Sequence, residues 1–212
     1  PAETDRALRD FRRLVSGEFC SSFVGTLRRK AAAHGLSVAV EPDGNAPADI
    51  YDYDAAPDIP MTEFWVGPRD DAERYRFSSD VHFVAARRLA SSARLNGRRI
   101  VEAEAFSANP ANGGRWLKSP FGFKAMGDRF FACGVNRCAI HRFAHQPWTE
   151  PMRVPGMTMG PWGSHFERTE TWWPFVGPFI AYLSRCQALL QNGLKASDVI
   201  VYTGDECPQS GV

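Results

Sequence analysis

The sequence predicts an α/β fold with a parallel sheet. Strand-type and helix-type segments alternate along the 212 residues, the connections after strands are long, and those returning from helix to strand are short. From Thr4 to His34, Leu8, Phe11, Leu14 or Val15, Phe19, Phe23 and Leu27 recur at helical spacing, as one helix or two abutting ones, and His34-Gly35 supplies the stop. Leu36–Glu41 is a short β-branched run closed by Pro42-Asp43-Gly44, a strand that delivers Glu41 to a loop. Asp58–Trp65 is a second strand, in which Pro60 is unfavourable because it cannot donate to a ladder. Ser79–Leu95 reads as a helix with Asp80 near its start and Asn96-Gly97 at its end. Arg99–Phe106 is the next strand, followed by a Gly/Asn/Pro-rich loop over 107–121, a helix over Phe123–Cys133 and a strand over Arg137–His145. A long loop from Gln146 to Glu170 leads to an apolar helix over Phe175–Gln191 and a closing strand, Asp198–Tyr202.

Long loops gathered at the carboxyl ends of parallel strands form the active face of barrel-type and doubly wound α/β folds. Four strand units precede the terminal strand, too few for an eight-unit barrel of roughly 250 residues.

Composition excludes several classes. The chain carries 25 Lys and Arg against 24 Asp and Glu, a net charge of +1, so no basic excess is available to neutralise a nucleic-acid backbone. No apolar run approaches the ~18 residues of a membrane span. The first residues, Pro1-Ala-Glu-Thr-Asp5, are polar and acidic where a signal peptide is basic and then apolar; with no starting Met, the chain reads as a mature form or an excised piece. The five cysteines (20, 133, 138, 186 and 207) form no CxxC pair and read mainly as small buried apolar residues, with zinc binding or a Cys133–Cys138 bridge as lesser readings. Trp65, Trp116, Trp148 and Trp162 sit beside Gly, Pro or Arg in loop-like segments; such Trp form either flat platforms for sugars or part of the core.

The chemistry-bearing residues collect at strand ends. Glu41, Glu63 and Glu104 lie at or near the ends of three strands and His145 ends the fourth. Because side chains alternate along a strand, Ile100, Glu102, Glu104 and Phe106 share one face and Val101, Ala103 and Ala105 the other. The small apolar set suits packing under helices, which turns Glu102 and Glu104 inward; Met61, Glu63 and Trp65 share a face likewise, as do His141, Phe143 and His145. Glutamates aimed inward from adjacent strands repel and lose solvation, so they need compensation. Either they line a pocket suited to glycoside hydrolysis or a divalent metal, or they form salt bridges with Arg115, Arg137 or Arg142, a structural reading strongest for Glu102. His141 and His145 match metal-ligand spacing only on a helix, so a zinc protease is disfavoured. The absence of G-x-S-x-G, P-loop and G-x-G-x-x-G motifs speaks against hydrolase-elbow and nucleotide-binding readings.

Several stretches together carry a resemblance: Gly134-Val-Asn-Arg137, His141-Arg-Phe-Ala-His-Gln-Pro-Trp148, Pro155-Gly-Met-Thr-Met-Gly-Pro-Trp-Gly163 and His165-Phe-Glu-Arg-Thr-Glu-Thr-Trp-Trp173. With Val40-Glu-Pro-Asp-Gly44, Ile59-Pro-Met-Thr-Glu-Phe-Trp65, Glu104-Ala-Phe106, Gly114-Arg-Trp116 and Tyr182–Leu190, they resemble the alpha-L-rhamnosidases of glycoside hydrolase family 106, in order from about residue 10 to 204. The resemblance implies a large, multidomain, usually periplasmic or secreted enzyme with a (β/α)8 catalytic barrel. It implies that residues 1–197 are the second half of that barrel, strands five to eight, and that 198–212 begin the following strand or a linker into a β-rich domain. The remaining barrel strands would come from the full-length chain. Implied too are inverting hydrolysis of terminal alpha-L-rhamnosides in a rhamnose-containing glycan or glycoside, two catalytic carboxylates, and calcium near the sugar. By the resemblance Glu63 is the general base and Glu104 the alternative base or a calcium- and sugar-positioning ligand. Glu41, His141 and His145 become sugar or metal contacts, and Trp116, Trp148 and Trp162 pocket walls. The family's general acid belongs to a Ser-Tyr-Glu-like motif on an earlier strand, upstream of Pro1, which leaves autonomous activity of these residues in question. The rival reading is a non-catalytic carbohydrate-binding or structural α/β module.

Overall fold

The computed structural model describes residues 2–42, 46–66, 79–108, 116, 118–154, 156–160, 162–193 and 196–202. Four strands, β1 (Ala39–Val40), β2 (Ile59–Trp65), β3 (Glu102–Ser107) and β4 (Arg137–Ile140), form one sheet in sequence order, every neighbour parallel. Helices α1 (Ala2–Glu18), α2 (Gly25–Ala32), α3 (Ile50–Ala55), α4 (Ser79–Leu95), α5 (Pro120–Cys133) and α6 (Gly177–Gln191) alternate with them. Sequential parallel strands joined by helices make this a segment of a (β/α)-barrel-like sheet.

The helical first segment is a single run in which α1 and α2 are joined by one six-residue π-helical stretch, Phe19–Val24. Its apolar stripe does not turn wholly inward: Val24 is buried against Ala48 and Tyr53, while Leu8, Phe11 and Leu14 stand exposed. The first strand shrinks from the expected six residues to Ala39–Val40. Helix α3, absent from the sequence reading, has only six residues; Asp49 caps it, accepting from the backbone N–H of Tyr51 and Asp52. It is tied to α4 by a bidentate ion pair, Arg88 Nε and Nη2 donating to Asp54 at 2.8 and 3.2 Å. Both side chains are buried, and desolvation pushes the Asp54 carboxyl up to about 6 in spite of the guanidinium.

Helix α4 spans the expected residues, and Gly97 closes it at φ 65°, a conformation that favours glycine. The expected cap Asp80 lies outside the described side chains. Helix α5 starts three residues early, with Pro120 in its first turn. The strand expected over Arg137–His145 ends at Ile140, because His141 and Arg142 form a turn. Residues 198–202 make no ladder, and Val199–Tyr202 are exposed.

Pro60, Thr62 and Phe64 of β2 face the helices, as do Val101, Ala103 and Ala105 at β3. There the core is aromatic: Phe64 stacks on Phe130 at 4.2 Å between centroids, and Phe106, Phe123, Phe166 and Phe179 pack edge-on or tilted beside it. Burial of each such ring contributes about 1.5–3 kcal/mol. The four cysteines described, Cys20, Cys133, Cys138 and Cys186, are free thiols, so the Cys133–Cys138 bridge is not formed. Cys138 is pushed up to about 12 by burial and then by Glu102, which keeps it a protonated apolar residue.

Candidate active site

The face away from the helices carries the polar residues. Strands β2 and β3 run in parallel register with Met61 opposite Glu102 and Glu63 opposite Glu104, so both expected carboxylates stand side by side. One layer down, Arg137 of β4 meets Glu102, its register partner, at 2.6 Å. The structural reading of Glu102 therefore holds, and the compensating cation is Arg137. Arg142, another cation considered for the glutamates, instead donates through Nη2 to the Gly160 carbonyl at 3.1 Å; Arg115 lies outside the described residues.

Between Glu63 and Trp65 the register slips, because Phe64 alone opposes Ala105 and Phe106. This bulge places one extra residue in β3 and Phe106 takes φ 62°, an uncommon value for a bulky side chain. The expectation that Phe106 shares the Glu104 face is thus overturned: the left-handed backbone turns its ring into the helix-side core, where it is fully buried. Ser107 takes the inward position instead. Its hydroxyl donates to Glu104 Oε1 at 2.7 Å and lies 3.2 Å from His141 Nδ1. The buried Ser164 hydroxyl pins the bulge by donating to the Phe106 carbonyl at 2.7 Å.

His141 joins the site from the turn after β4, its Nδ1 3.4 Å from Glu104 Oε1. Gly163 makes this packing possible: at φ 90°, a Cβ there would stand 3.2 Å from both His141 Nδ1 and the His141 carbonyl. On the other side His82, early in α4, places Nε2 3.5 Å from Glu63 Oε1. Trp65 continues the inner face above Glu63, and Trp162 meets it edge-on at 5.9 Å. Glu63 and Glu104 are therefore neighbours, His141 meets Glu104, and Trp162 reaches this side of the sheet through Trp65. His82 and Ser107 were missed. Helix N-termini in a parallel α/β unit lie at the carboxyl ends of the strands, a signal that could have found His82; a bulge leaves no comparable mark for Ser107.

The other expected residues are placed differently. Glu41 follows β1 directly and is half-buried. His145 lies beyond the shortened strand, exposed, and its carbonyl accepts from Met157 N at 2.9 Å in an isolated antiparallel bridge. Phe143 is also exposed and touches Trp173, so the expected common face of His141, Phe143 and His145 does not form. Trp148 is held in its own loop, with the Arg153 guanidinium 5.1 Å above its ring and Arg168 donating to its carbonyl. Trp116 packs edge-on against the buried His165 at 5.0 Å.

The same loop buries two further carboxylates. Glu167 accepts from Thr169 N at 2.7 Å, while Glu170 is 4% exposed and its Oε1 has no hydrogen-bond partner. Burial, and then repulsion from Glu167, pushes Glu170 up to about 7. The folded protein therefore holds this proton more tightly than the unfolded chain. The resulting stabilisation is complete below the unfolded value near 4.5 and is lost as pH rises through about 7. Glu170→Gln removes the ionisation, so its thermal unfolding temperature is expected to gain on that of the parent between pH 5 and 8, by on the order of 2 kcal/mol in stability. A pH-independent difference would contradict this origin.

Residues 1–212 match the family model for glycoside hydrolase family 106, described as alpha-L-rhamnosidase. The chain belongs to this family. A rhamnosidase structure from Novosphingobium sp. PP1Y superimposes with a TM-score of 0.83 at 31% identity, covering 96% of this chain and 19% of that one. A protein of Formosa agariphila named "Putative beta-glucuronidase" is 35% identical over 207 residues, 98% of this chain and 16% of its own length. The chain thus spans less than a fifth of each of these relatives. No helix among the described residues is long and apolar enough to cross a membrane.

Proposed function

We propose that these residues form the water-activating and sugar-binding half of the catalytic barrel of an inverting alpha-L-rhamnosidase. One observation carries the reading: in a chain of this family, Glu63 and Glu104 occupy paired positions on neighbouring strands, away from the helices, each within reach of a histidine. In the mechanism Glu63 is the base that takes a proton from water as the water attacks the anomeric carbon, and Glu104 orients sugar or acts as the alternative base. Inversion requires an acid and a base about 6.5–9.5 Å apart with a water between them. Paired positions on adjacent strands put two backbones only about 4.8 Å apart, which favours a general acid contributed from elsewhere in the full-length protein. Residues 1–197 then act as a partial barrel completed by other strands, and 198–212 lead into the next domain.

Calcium fits the chemistry of the carboxylates, which are hard oxygen donors. The ion takes 6–8 oxygens, and no group of three or more His, Cys, Asp or Glu among the described residues is placed to hold one. Glu63 and Glu104 would therefore supply part of a shell completed by sugar hydroxyls and by groups outside the described set. Bound there, calcium would supply positive charge to orient a vicinal diol. EDTA is expected to lower rhamnoside hydrolysis and added calcium to restore it; indifference to both would remove calcium from the account.

The deciding experiment is hydrolysis of an aryl alpha-L-rhamnoside by the full-length protein beside the 212-residue chain. Because one relative carries the name of a beta-glucuronidase, an aryl beta-glucuronide belongs in the same assay. Release from the rhamnoside by the full-length protein alone supports the proposal in full. Release from the glucuronide only would overturn the substrate, and rhamnose binding without any release would favour a non-catalytic sugar-binding module.

A further inference from the structure

We propose that Ser107 is a positioning residue that fixes the neutral His141 ring as the Nδ1–H tautomer, leaving Nε2 to accept a hydrogen bond from a sugar hydroxyl. The sugar contact rests on the rhamnosidase reading above; the tautomer does not. Ser107 is fully buried, and its single hydroxyl lies between two groups, Glu104 Oε1 at 2.7 Å and His141 Nδ1 at 3.2 Å. A serine hydroxyl has one proton, and an ionised carboxylate only accepts. Were that proton given to Nδ1, the serine and carboxylate oxygens would face each other at 2.7 Å with lone pairs alone. The proton therefore goes to Glu104, and Nδ1 must bring its own. The distance from Nδ1 to Glu104 Oε1, 3.4 Å, works the same way, since a bare Nδ1 would confront two oxygens.

Geometry holds the ring in this arrangement. The Ser164 backbone N–H donates to the His141 carbonyl at 3.0 Å, and the missing side chain at Gly163 lets the loop close on the ring. The imidazole keeps 16% of its side chain exposed. With Nδ1 committed to Ser107, Nε2 is the nitrogen left for a ligand, and in the neutral ring it can only accept. A ring accepting at Nε2 beside an accepting carboxylate suits a polyol, each of whose hydroxyls can donate. The bulge is what makes this possible: without the extra residue, Ser107 would point into the helix-side core.

Nitrogen-15 spectra of the full-length protein labelled at histidine, with the His141 signals assigned from a His141→Gln variant, read the tautomer without reference to activity. In the unmodified protein, Nδ1 is expected in the protonated form and Nε2 in the bare form. Ser107→Ala should move the ring toward a mixture, and Ser107→Thr should restore it. A bare Nδ1 in the unmodified protein, or an unchanged ring in Ser107→Ala, would overturn the proposal.

Kinetics supply the functional arm. Ser107→Ala should lower kcat/KM for an aryl rhamnoside about 10- to 100-fold, mainly through KM, with Ser107→Thr recovering most of it. In a His141→Gln background the same change should cost no more than about twofold, because its partner is gone. Fully additive losses would show that Ser107 does not act through His141. If the unmodified protein hydrolyses no rhamnoside while the spectra agree, the rhamnosidase reading fails and the tautomer assignment stands.

Discussion

Glu63→Gln in the full-length protein is expected to lower hydrolysis of an aryl alpha-L-rhamnoside by roughly 10²–10⁴-fold, the range general-base removal produces, with folding unchanged. Glutamine keeps the shape of the side chain but takes no proton from water. The residue is on β2, part of whose structure is set by Phe64, which packs on the opposite face and is unaffected. Glu104→Gln tests the neighbouring role. As the base, Glu104 would lose kcat with KM preserved; as a sugar- or cation-positioning residue, its loss would raise KM as well. Its Ser107 hydroxyl partner remains satisfied by the glutamine carbonyl, so the variant is also expected to fold. Near-parental rates in both variants would show that the water-activating carboxylate lies elsewhere.

The second large effect concerns stability. Phe106→Ala is expected to cost about 3–5 kcal/mol, measured by denaturant unfolding of the full-length protein. The ring is fully buried, with Phe64, Phe123 and Phe179 centroids at 5.0, 5.3 and 5.9 Å. Alanine leaves the cavity and keeps the positive φ, so neither loss is offset. Phe106→Leu refills part of the volume and should recover part of the cost. The same variants should be compared for activity, because Ser107 follows the bulge directly and loosening it would release the hydroxyl from Glu104. A cost below about 1 kcal/mol would show that the aromatic cluster can close over the gap.

Most of the sheet was legible because strand alternation has a period of two and one face is packed. Thr62 and Phe64 had to face the helices, which fixed Met61, Glu63 and Trp65 on the other side. Helix α4 was legible because Asn96-Gly97 is a strong stop. Helix α3 was too short to show a repeat, and the early end of β4 has no turn residue to announce it. Phe106 broke the alternation through a positive φ that sequence associates with Gly, Asn or Asp, and that one inversion hid Ser107. The helical spacing of Leu8, Phe11 and Leu14 was real, but spacing does not say what covers a face. Trp116 and Trp148 were identified as loop residues, yet which partner a loop tryptophan meets depends on chain segments far apart in sequence.

The Glu102–Arg137 ion pair has a bearing on traffic through the site. It sits one register layer beneath Glu104, at 2.6 Å, and links β3 to β4 across the inner surface. Barrel interiors are filled in layers rather than open along the axis, and this pair is the part that β3 and β4 contribute to the layer beneath Glu104. Across β3 and β4 the inner surface of that layer is taken up by the paired charges of Glu102 and Arg137, so a ligand at Glu104 would be approached from the carboxyl ends of the strands.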